Sequence, residues 1–353
     1  MGTSLDQTQQ DLIFRVVVVV TVVLVGFLAY SEFHVLPRLH QSSHDEIGER
    51  TSKNDPLVWG WIRTFACMSF ATLLITLAII RNDIPGTFDD IPTTVTSSIN
   101  FCESDFQHSR HVAEPANTVS SFTSYIPLAI LGLANTTNTR YTVCFVTLFL
   151  IGIGSSLLHA FLTALSQGGD ELPMLWFTAA TSFCGFEIIS PKKVPGLAKI
   201  VVLTAVASTV VYLHFRANFL YFTAMFSLYS WALIFSLIYI SFFMPWEEKF
   251  HGRPFKRDIL LPLSRCCAIT VLLAVWVWYL DMAGCAYAKQ QPRESYVWMI
   301  WDRILHPVWH FSTAIVAFLT VEVFIAADGF GRGLGMPRIR WYGAPVVVFE
   351  DVF

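Results

Sequence analysis

The sequence predicts an all-α protein that forms a polytopic membrane helical bundle, and three observations support this prediction. Of its 353 residues, 54% are hydrophobic and only 14% are charged, whereas soluble proteins carry about 25% charged residues. The mean hydropathy is +0.54. Apolar segments recur along the chain, and each approaches the roughly 20 residues that a membrane-spanning helix requires. The net charge of −3 and the lack of a basic run argue against nucleic acid as a partner.

Nine segments meet or nearly meet this length requirement, and most of them are separated by short polar connections. In chain order they are Leu12–Tyr30, Trp59–Ile80, Asn117–Ala134, Tyr141–Ala160, Leu172–Ile189, Leu197–His214, Asn218–Phe243, Leu261–Gly284 and Leu305–Ile325. The first ends in Ala29-Tyr30-Ser31, which is similar to a signal-peptidase site. Its N-terminal flank holds Asp6 and Asp11 but no Lys, which favours a retained helix over a cleaved signal.

The distribution of Lys and Arg predicts the orientation of the chain. If the nine segments alternate in direction, most of the 23 Lys and Arg residues fall on one side, and that side is expected to be cytoplasmic. The C-terminus is then cytoplasmic, and the stretch 154–174 lies on the lumenal or outer side. The pattern Asn135-Thr136-Thr137 is a glycosylation acceptor, but this orientation places it in the cytoplasm, where it would not be modified.

Polar residues cluster at the ends of three of these segments. Ser155 and His159 are four residues apart, as are His306 and His310, so each pair shares one helix face. Asp170 stands at the start of another segment. The alternation places all of these groups on the same side of the membrane. Three neutral imidazoles and a water molecule form the usual tetrahedral site of a catalytic zinc ion, so we interpret the cluster as a zinc centre.

Structural roles compete with the catalytic ones for several of these residues. Ser155 is also suited to a close helix–helix contact. Asp170 is suited to an N-cap with Pro173 in the first turn of its helix. Glu171 is interpreted as a first-turn charge that is stabilised by the helix dipole.

Five short motifs resemble those of the alkaline ceramidases, which belong to a superfamily of seven-helix membrane hydrolases that includes the adiponectin receptors. The motifs are GSSLLH, DELPM and HPVWH around the polar cluster, NFCESD with the following Glu114 and NTVS, and WYLDMAGC. The resemblance covers about residues 98–330. It implies a seven-helix hydrolase domain at 98–330, an N-terminal extension at 1–97 that carries two extra hydrophobic helices, and a cytoplasmic tail at 331–353.

The resemblance also implies roles for individual residues. Zinc would be held by His159, His306 and His310, while Asp170 would transfer protons and Ser155 would stabilise the oxyanion. The implied calcium ligands are Asn100, the carbonyl of Phe101, Glu103, Asp105 and Glu114, although aspartate is expected where this chain has Asn100. The family also implies a disulfide between Cys102 and Cys285. Asp281, in WYLDMAGC, is either a buried hydrogen-bond partner near the zinc or a charge at the membrane interface.

These features together predict a zinc-dependent amidase in the endoplasmic reticulum or Golgi that cleaves ceramide within the lipid bilayer. Three other functions remain open. An esterase or phospholipase would use the same zinc chemistry on another membrane lipid. A receptor-like protein would keep a structural zinc ion. A transporter would line a proton path with the histidines.

Overall fold

The computed structural model of the chain describes residues 95–107, 111–190, 194–215, 219–246 and 253–349. The two predicted N-terminal helices, Leu12–Tyr30 and Trp59–Ile80, lie outside the described residues. Contacts divide the chain into two units. One of them, Pro85–Arg340 with Val346–Phe353, contains all of the helices described below.

The described part of the chain is almost entirely helical. Its helices are α1 Pro115–Asn135, α2 Thr139–Phe161, α3 Ala164–Ile189, α4 Leu197–Phe215, α5 Phe219–Ile238, α6 Leu261–Ala288, α7 Tyr296–Arg303 and α8 Leu305–Gly331. A π-helical turn, Tyr239–Phe243, extends α5, and a helical turn at Arg253–Phe255 followed by a π-helical turn at Lys256–Leu260 leads into α6. The strands β1 Arg338–Trp341 and β2 Pro345–Val348 pair near the C-terminus.

Six spans in the described residues are long and apolar enough to cross a membrane: α2, α3, α4, α5 with its π-helical turn, α6 with the turn before it, and α7 together with α8. The predicted all-α membrane bundle is therefore confirmed. Helix α1 has 21 residues but is rich in Ser, Thr and Asn. Its polar residues are buried against the other helices, because Asn117, Ser120, Ser121 and Ser124 are each at most 5% exposed.

Helices α1, α2, α3 and α8 form the buried centre of the bundle, whereas α4 and α5 lie at its edge. Helix α2 packs against α1 and α3, and α8 packs against α1 and α6. Only Ser208 and Tyr212 are buried on α4. The apolar side chains that α4 exposes suit contact with lipid, where an apolar surface carries no hydrophobic cost.

Helix α3 begins earlier than the sequence predicts. It starts at Ala164, and Thr163 caps it: the Ser166 N–H donates to Thr163 Oγ1 at 3.2 Å, and the Thr163 N–H donates to Ser166 Oγ at 3.1 Å. This capping box adds two turns before the apolar run. Asp170 and Glu171 therefore lie inside the helix, and the predictions of an N-cap at Asp170 and a first-turn charge at Glu171 are both wrong.

Glu171 instead links α3 to α4. Its side chain is 3% exposed. The Tyr212 hydroxyl donates to Glu171 Oε2 at 2.5 Å, and the Gln167 amide donates to Glu171 Oε1 at 3.0 Å. Buried carboxylates need such donors, because burial without them is costly. Glu171 is thus part of the packing between two helices.

The C-terminal tail folds back onto the last helix. The Val347 N–H donates to Glu322 Oε2 at 2.7 Å, and Val346 and Val347 are buried. Glu322 itself is 1% exposed in the middle of α8. A tail was predicted at 331–353, but the two strands within it were not.

Candidate metal centre

Three histidines from two distant parts of the chain meet in the interior of the bundle. His159 lies near the end of α2, and His306 and His310 lie in the first two turns of α8. One ligand nitrogen from each can be chosen so that all three lie within 4.8 Å of one another. The three side chains are only 1–2% exposed. Within the described ranges, this is the only such set of three or more His, Cys, Asp or Glu side chains.

Carboxylates are hydrogen-bonded to the Nδ1 atoms of two of the three imidazoles. His159 Nδ1 is hydrogen-bonded to Glu114 Oε2, and His306 Nδ1 is hydrogen-bonded to Asp281 Oδ2 at 2.8 Å. Such pairs fix the ring orientation and the tautomer, which leaves Nε2 for a metal. Of the two interpretations of Asp281, the structure supports the buried partner, since this side chain is 1% exposed.

Serines of α1 hold the third imidazole. Ser120 Oγ lies 2.8 Å from His310 Nδ1. Because the Ser120 hydroxyl also lies 3.0 Å from the Asn117 carbonyl, it can donate to that carbonyl while it accepts from the imidazole. In the sequence, Ser120 stands out only as part of the motif NTVS, which gives no indication of this contact.

This donor set fits a zinc ion. The three buried imidazoles have acceptors at Nδ1, so each can be neutral and present Nε2. Three histidine nitrogens with a fourth position open to water or substrate are the usual protein ligands of catalytic zinc. His159, His306 and His310 would hold the ion.

Ser155 and Asp170 lie beside the histidines on neighbouring helices. Ser155 is one turn before His159 on α2, is 3% exposed and lies near the side chain of Asp170 on α3. Ser155 Oγ also lies 2.9 Å from Ser121 Oγ. The two side chains predicted to act on substrate are therefore neighbours across the α2–α3 crossing.

A close crossing of α2 and α3 at Gly154 brings Ser155 and Asp170 near each other. A Cβ placed on Gly154 would lie 1.9 Å from the Gly169 carbonyl oxygen and 2.8 Å from the Asp170 nitrogen. The residue four positions after Gly169 is Pro173, which has no N–H to bond that carbonyl within the helix. The Gly169 carbonyl is thereby left to face Gly154, and only glycine fits opposite it.

Two of the predicted calcium ligands, Phe101 and Glu114, contact the histidines. The ring of Phe101 lies against the rings of His306 and His159, with centroids 4.0 Å and 5.0 Å away. The Glu103 carboxylate accepts from the N–H groups of Ala116 and Asn117 at 2.8 Å each. Asn100 is exposed, and its amide donates to Asp105 Oδ2 at 2.8 Å.

A polar cavity of about 330 Å³ opens next to this loop, and its lining includes Asn100, Glu103 and Asp105. Burial raises the pKa of Glu114 to about 8, and burial also raises the pKa of Glu103 well above its usual value, with the charge of Glu114 as the next cause. Buried carboxylates need hydrogen-bond donors or cations around them, and the cationic side chains of Lys289 and Arg293 also line this cavity.

Two further contacts fasten the same loop to the rest of the bundle. Cys102 and Cys285 form a disulfide with a Cα–Cα distance of 5.5 Å, which joins the loop to α6. Asp302 of α7 accepts from the N–H and the hydroxyl of Ser104 at 2.8 Å and 2.7 Å. Asp302 was not predicted, because it belongs to no motif in the sequence.

Comparison with known proteins identifies relatives along most of the bundle. The family model for Ceramidase matches residues 93–335. The chain is 28% identical to alkaline ceramidase 1 of Mus musculus over 298 residues, which are 76% of this chain and 97% of the mouse protein. It is 25% identical to alkaline ceramidase 3 of Mus musculus over 266 residues, 72% of this chain and 93% of that protein. A shorter match of 86 residues, 36% identical, covers 23% of this chain and 33% of the alkaline ceramidase of Arabidopsis thaliana.

Proposed function

The chain belongs to the ceramidase family, and on this basis we propose that it is a zinc-dependent hydrolase of the membrane that cleaves ceramide to a sphingoid base and a fatty acid. One observation carries the proposal. Three buried histidines converge within 4.8 Å, and the buried Ser155 lies one turn from one of them. Amide hydrolysis needs a nucleophilic water, a proton carrier and a donor for the oxyanion, and these groups can supply all three.

The chain's own residues divide this chemistry between them. A zinc ion held by the three histidines would supply Lewis acidity, which makes water nucleophilic at neutral pH. Asp170 accepts a proton from the attacking water as the new C–O bond forms. It returns that proton to the amine nitrogen as the C–N bond breaks. Ser155 donates a hydrogen bond to the carbonyl oxygen as negative charge develops on it.

We further propose that calcium binds at the loop above the histidines, held by Asn100, the Phe101 carbonyl, Glu103, Asp105 and Glu114. Calcium prefers six to eight oxygen ligands, and the cavity beside Asn100, Glu103 and Asp105 gives access for the ion. Because Glu114 also bonds to His159, calcium would stiffen the support of a zinc ligand.

The remaining proposals concern location and organisation. The catalytic domain spans residues 98–330, and the site faces the lumen of the endoplasmic reticulum or Golgi with the C-terminus in the cytoplasm. The substrate reaches the site laterally from the bilayer. Mass spectrometry that finds a glycan on Asn135 would contradict this orientation.

The test is a lipid panel incubated with the purified full-length protein and analysed by mass spectrometry for released sphingoid base and fatty acid. The panel contains ceramides, ester lipids and phospholipids. Ceramide is expected to be cleaved, and a zinc chelator is expected to abolish cleavage. Asp170→Asn should lower the rate by about 100-fold or more. Asp258→Asn is the matched control, because it makes the same change at an exposed aspartate that is paired with Arg257.

The other outcomes separate the rival functions. Cleavage of the ester lipids alone would indicate an esterase or phospholipase. Bound zinc without any turnover would indicate a receptor-like protein. Protein that lacks zinc when purified would favour a transporter, and ceramide cleavage that survives the chelator or the Asp170 change would contradict the proposed mechanism.

A further inference from the structure

Ser121 of α1 lies between Ser155 and the histidine centre. Its Oγ is 2.9 Å from Ser155 Oγ on α2, and it is 3.3 Å and 3.4 Å from the two ring nitrogens of His310 on α8. The Ser121 side chain is 0% exposed and that of Ser155 is 3% exposed. The chemistry proposed above gives Ser121 no role, although its hydroxyl contacts the residue that would stabilise the oxyanion.

The carbonyl of Asn117, one turn earlier on α1, has more hydrogen-bond donors than it can accept. Ser120 Oγ lies 3.0 Å from this oxygen and Ser121 Oγ lies 2.8 Å from it. The repeat of the α-helix also directs the backbone N–H of Ser121 to the same oxygen. A carbonyl oxygen has two lone pairs, so one of these donors is free to bond elsewhere.

The hydroxyl of Ser121 is the donor that can turn away from this carbonyl. Ser120 Oγ accepts from His310 Nδ1 across 2.8 Å, so its own proton is left for the Asn117 carbonyl. The Ser121 hydroxyl has a second acceptor in Ser155 Oγ at 2.9 Å. Its two distances to the His310 ring exceed about 3.2 Å, the upper end of ordinary nitrogen–oxygen hydrogen bonds. Ser155 is therefore the better acceptor for the Ser121 proton.

We propose that Ser121 is a positioning residue that donates its hydroxyl proton to Ser155 Oγ and so leaves the Ser155 proton for the substrate carbonyl oxygen. This inference rests on the proposed function, in which Ser155 donates to that oxygen. A hydroxyl carries a single proton, so Ser155 serves the oxyanion only while that proton points at the substrate. A donor that is oriented before the reaction stabilises the developing charge more than one that must first rotate.

The experiment is a double-mutant cycle of Ser121→Ala and Ser155→Ala in purified full-length protein, with kcat and KM measured for ceramide. Ser155→Ala is expected to lower kcat by about 100-fold or more. Ser121→Ala should lower kcat by about tenfold or more with KM unchanged, because it removes an orienting contact rather than a contact to substrate. The double variant should match Ser155→Ala, because the residue that Ser121 positions is then already lost.

Ser124→Ala is the matched control. It makes the same change at a buried serine of α1, whose hydroxyl lies 3.4 Å from the backbone carbonyl of Ser121, and its kcat should equal that of the wild type. Zinc content, measured by elemental analysis, should be unchanged in Ser121→Ala, because Ser120 still holds His310. If Ser121→Ala does not yield folded protein, Ser121→Thr is compared with Ser121→Val. These two variants have the same shape and differ in a hydroxyl against a methyl group, so the threonine variant should have the higher kcat, by about tenfold.

The outcomes distinguish the inference from the proposal beneath it. Wild-type protein that cleaves no ceramide would overturn the proposed function and the role of Ser121 with it. Wild-type protein that cleaves ceramide, together with an unchanged kcat in Ser121→Ala, would overturn only the role of Ser121. The same result follows if Ser121→Ala lowers kcat equally with and without Ser155, since Ser121 would then act independently of it. Loss of zinc from Ser121→Ala would show that Ser121 supports His310 instead.

Discussion

Replacing Gly154 with alanine is expected to separate Ser155 from Asp170. The added Cβ would lie 1.9 Å from the Gly169 carbonyl oxygen, whereas ordinary contacts of this kind begin near 3.4 Å. Helices α2 and α3 would have to move apart by the difference, about 1.5 Å, or distort locally. The obstacle is backbone rather than a flexible side chain, so it cannot be relieved by a change of rotamer.

The separation should reduce both activity and stability. A displacement of about 1 Å in a reacting group can cost about 100-fold in rate, which corresponds to about 2.7 kcal/mol. Overpacking of this kind destabilises a fold by about 1–3 kcal/mol. The assays are the kcat/KM for ceramide, the thermal unfolding midpoint and the zinc content of the purified variant. Zinc should be retained, because His159 lies more than a turn from the clash.

Gly169→Ala is the control from the opposite side of the same crossing. Its Cβ would meet only the Gly154 Cα, at 3.9 Å, so activity should be unchanged and the helix slightly more stable. If Gly154→Ala matches Gly169→Ala in both kcat/KM and unfolding midpoint, the close crossing does not position Ser155 and Asp170, and the reasoning fails.

Three further predictions concern the metal centre and the loop above it. His306→Ala should lose the zinc ion, about one per chain in the wild type, together with all activity, and an active variant without zinc would contradict the metal site. Cys102→Ser should lower the thermal unfolding midpoint, since loss of a native disulfide costs about 2–5 kcal/mol. Peptide mapping without reductant should find Cys102 joined to Cys285, and two free thiols there would refute the bond. Asp302→Asn should weaken the hold on Ser104 and destabilise the protein by about 1.5–3 kcal/mol in chemical unfolding. An unchanged free energy of unfolding would show that the loop does not depend on Asp302.

The histidine cluster was predictable because the four-residue spacing of His306 and His310 places both side chains on one face of a helix. His306 and His310 share a helix face at any register of α8, and the count of spans places His159 at the same depth. Ser120 and Asp302 were not predictable in this way. Ser120 meets His310 across 190 residues and Ser104 meets Asp302 across 198 residues, and neither pairing follows from a period or a motif.

The start of α3 was predicted too late because mean hydropathy counts every polar side chain as unfavourable in a membrane helix. It takes no account of whether that side chain is hydrogen-bonded to another helix. The polar stretch from Ser166 to Glu171 has too little apolar character to be assigned to a membrane helix. In the structure, Gln167 accepts from the Ser98 N–H at 2.7 Å and Glu171 accepts from Tyr212, so these polar groups are satisfied inside the bundle. The C-terminal strands were not predicted because β2 has only four residues, which is too short for a clear sequence pattern. Its hydrogen bond to Glu322 joins residues 25 positions apart, so no local pattern indicates it.

The disulfide has a consequence for how the protein is made. Cys285 follows Cys102 by 183 residues, and at synthesis rates of about 5–20 residues per second the interval between them lasts roughly 10–40 s. Asp302, the other fastening point of the loop, emerges later still. During that interval Cys102 has been synthesised but Cys285 and Asp302 have not, so the disulfide cannot form until α6 is made. The loop that precedes α1 is therefore among the last parts of the bundle to be fastened in place.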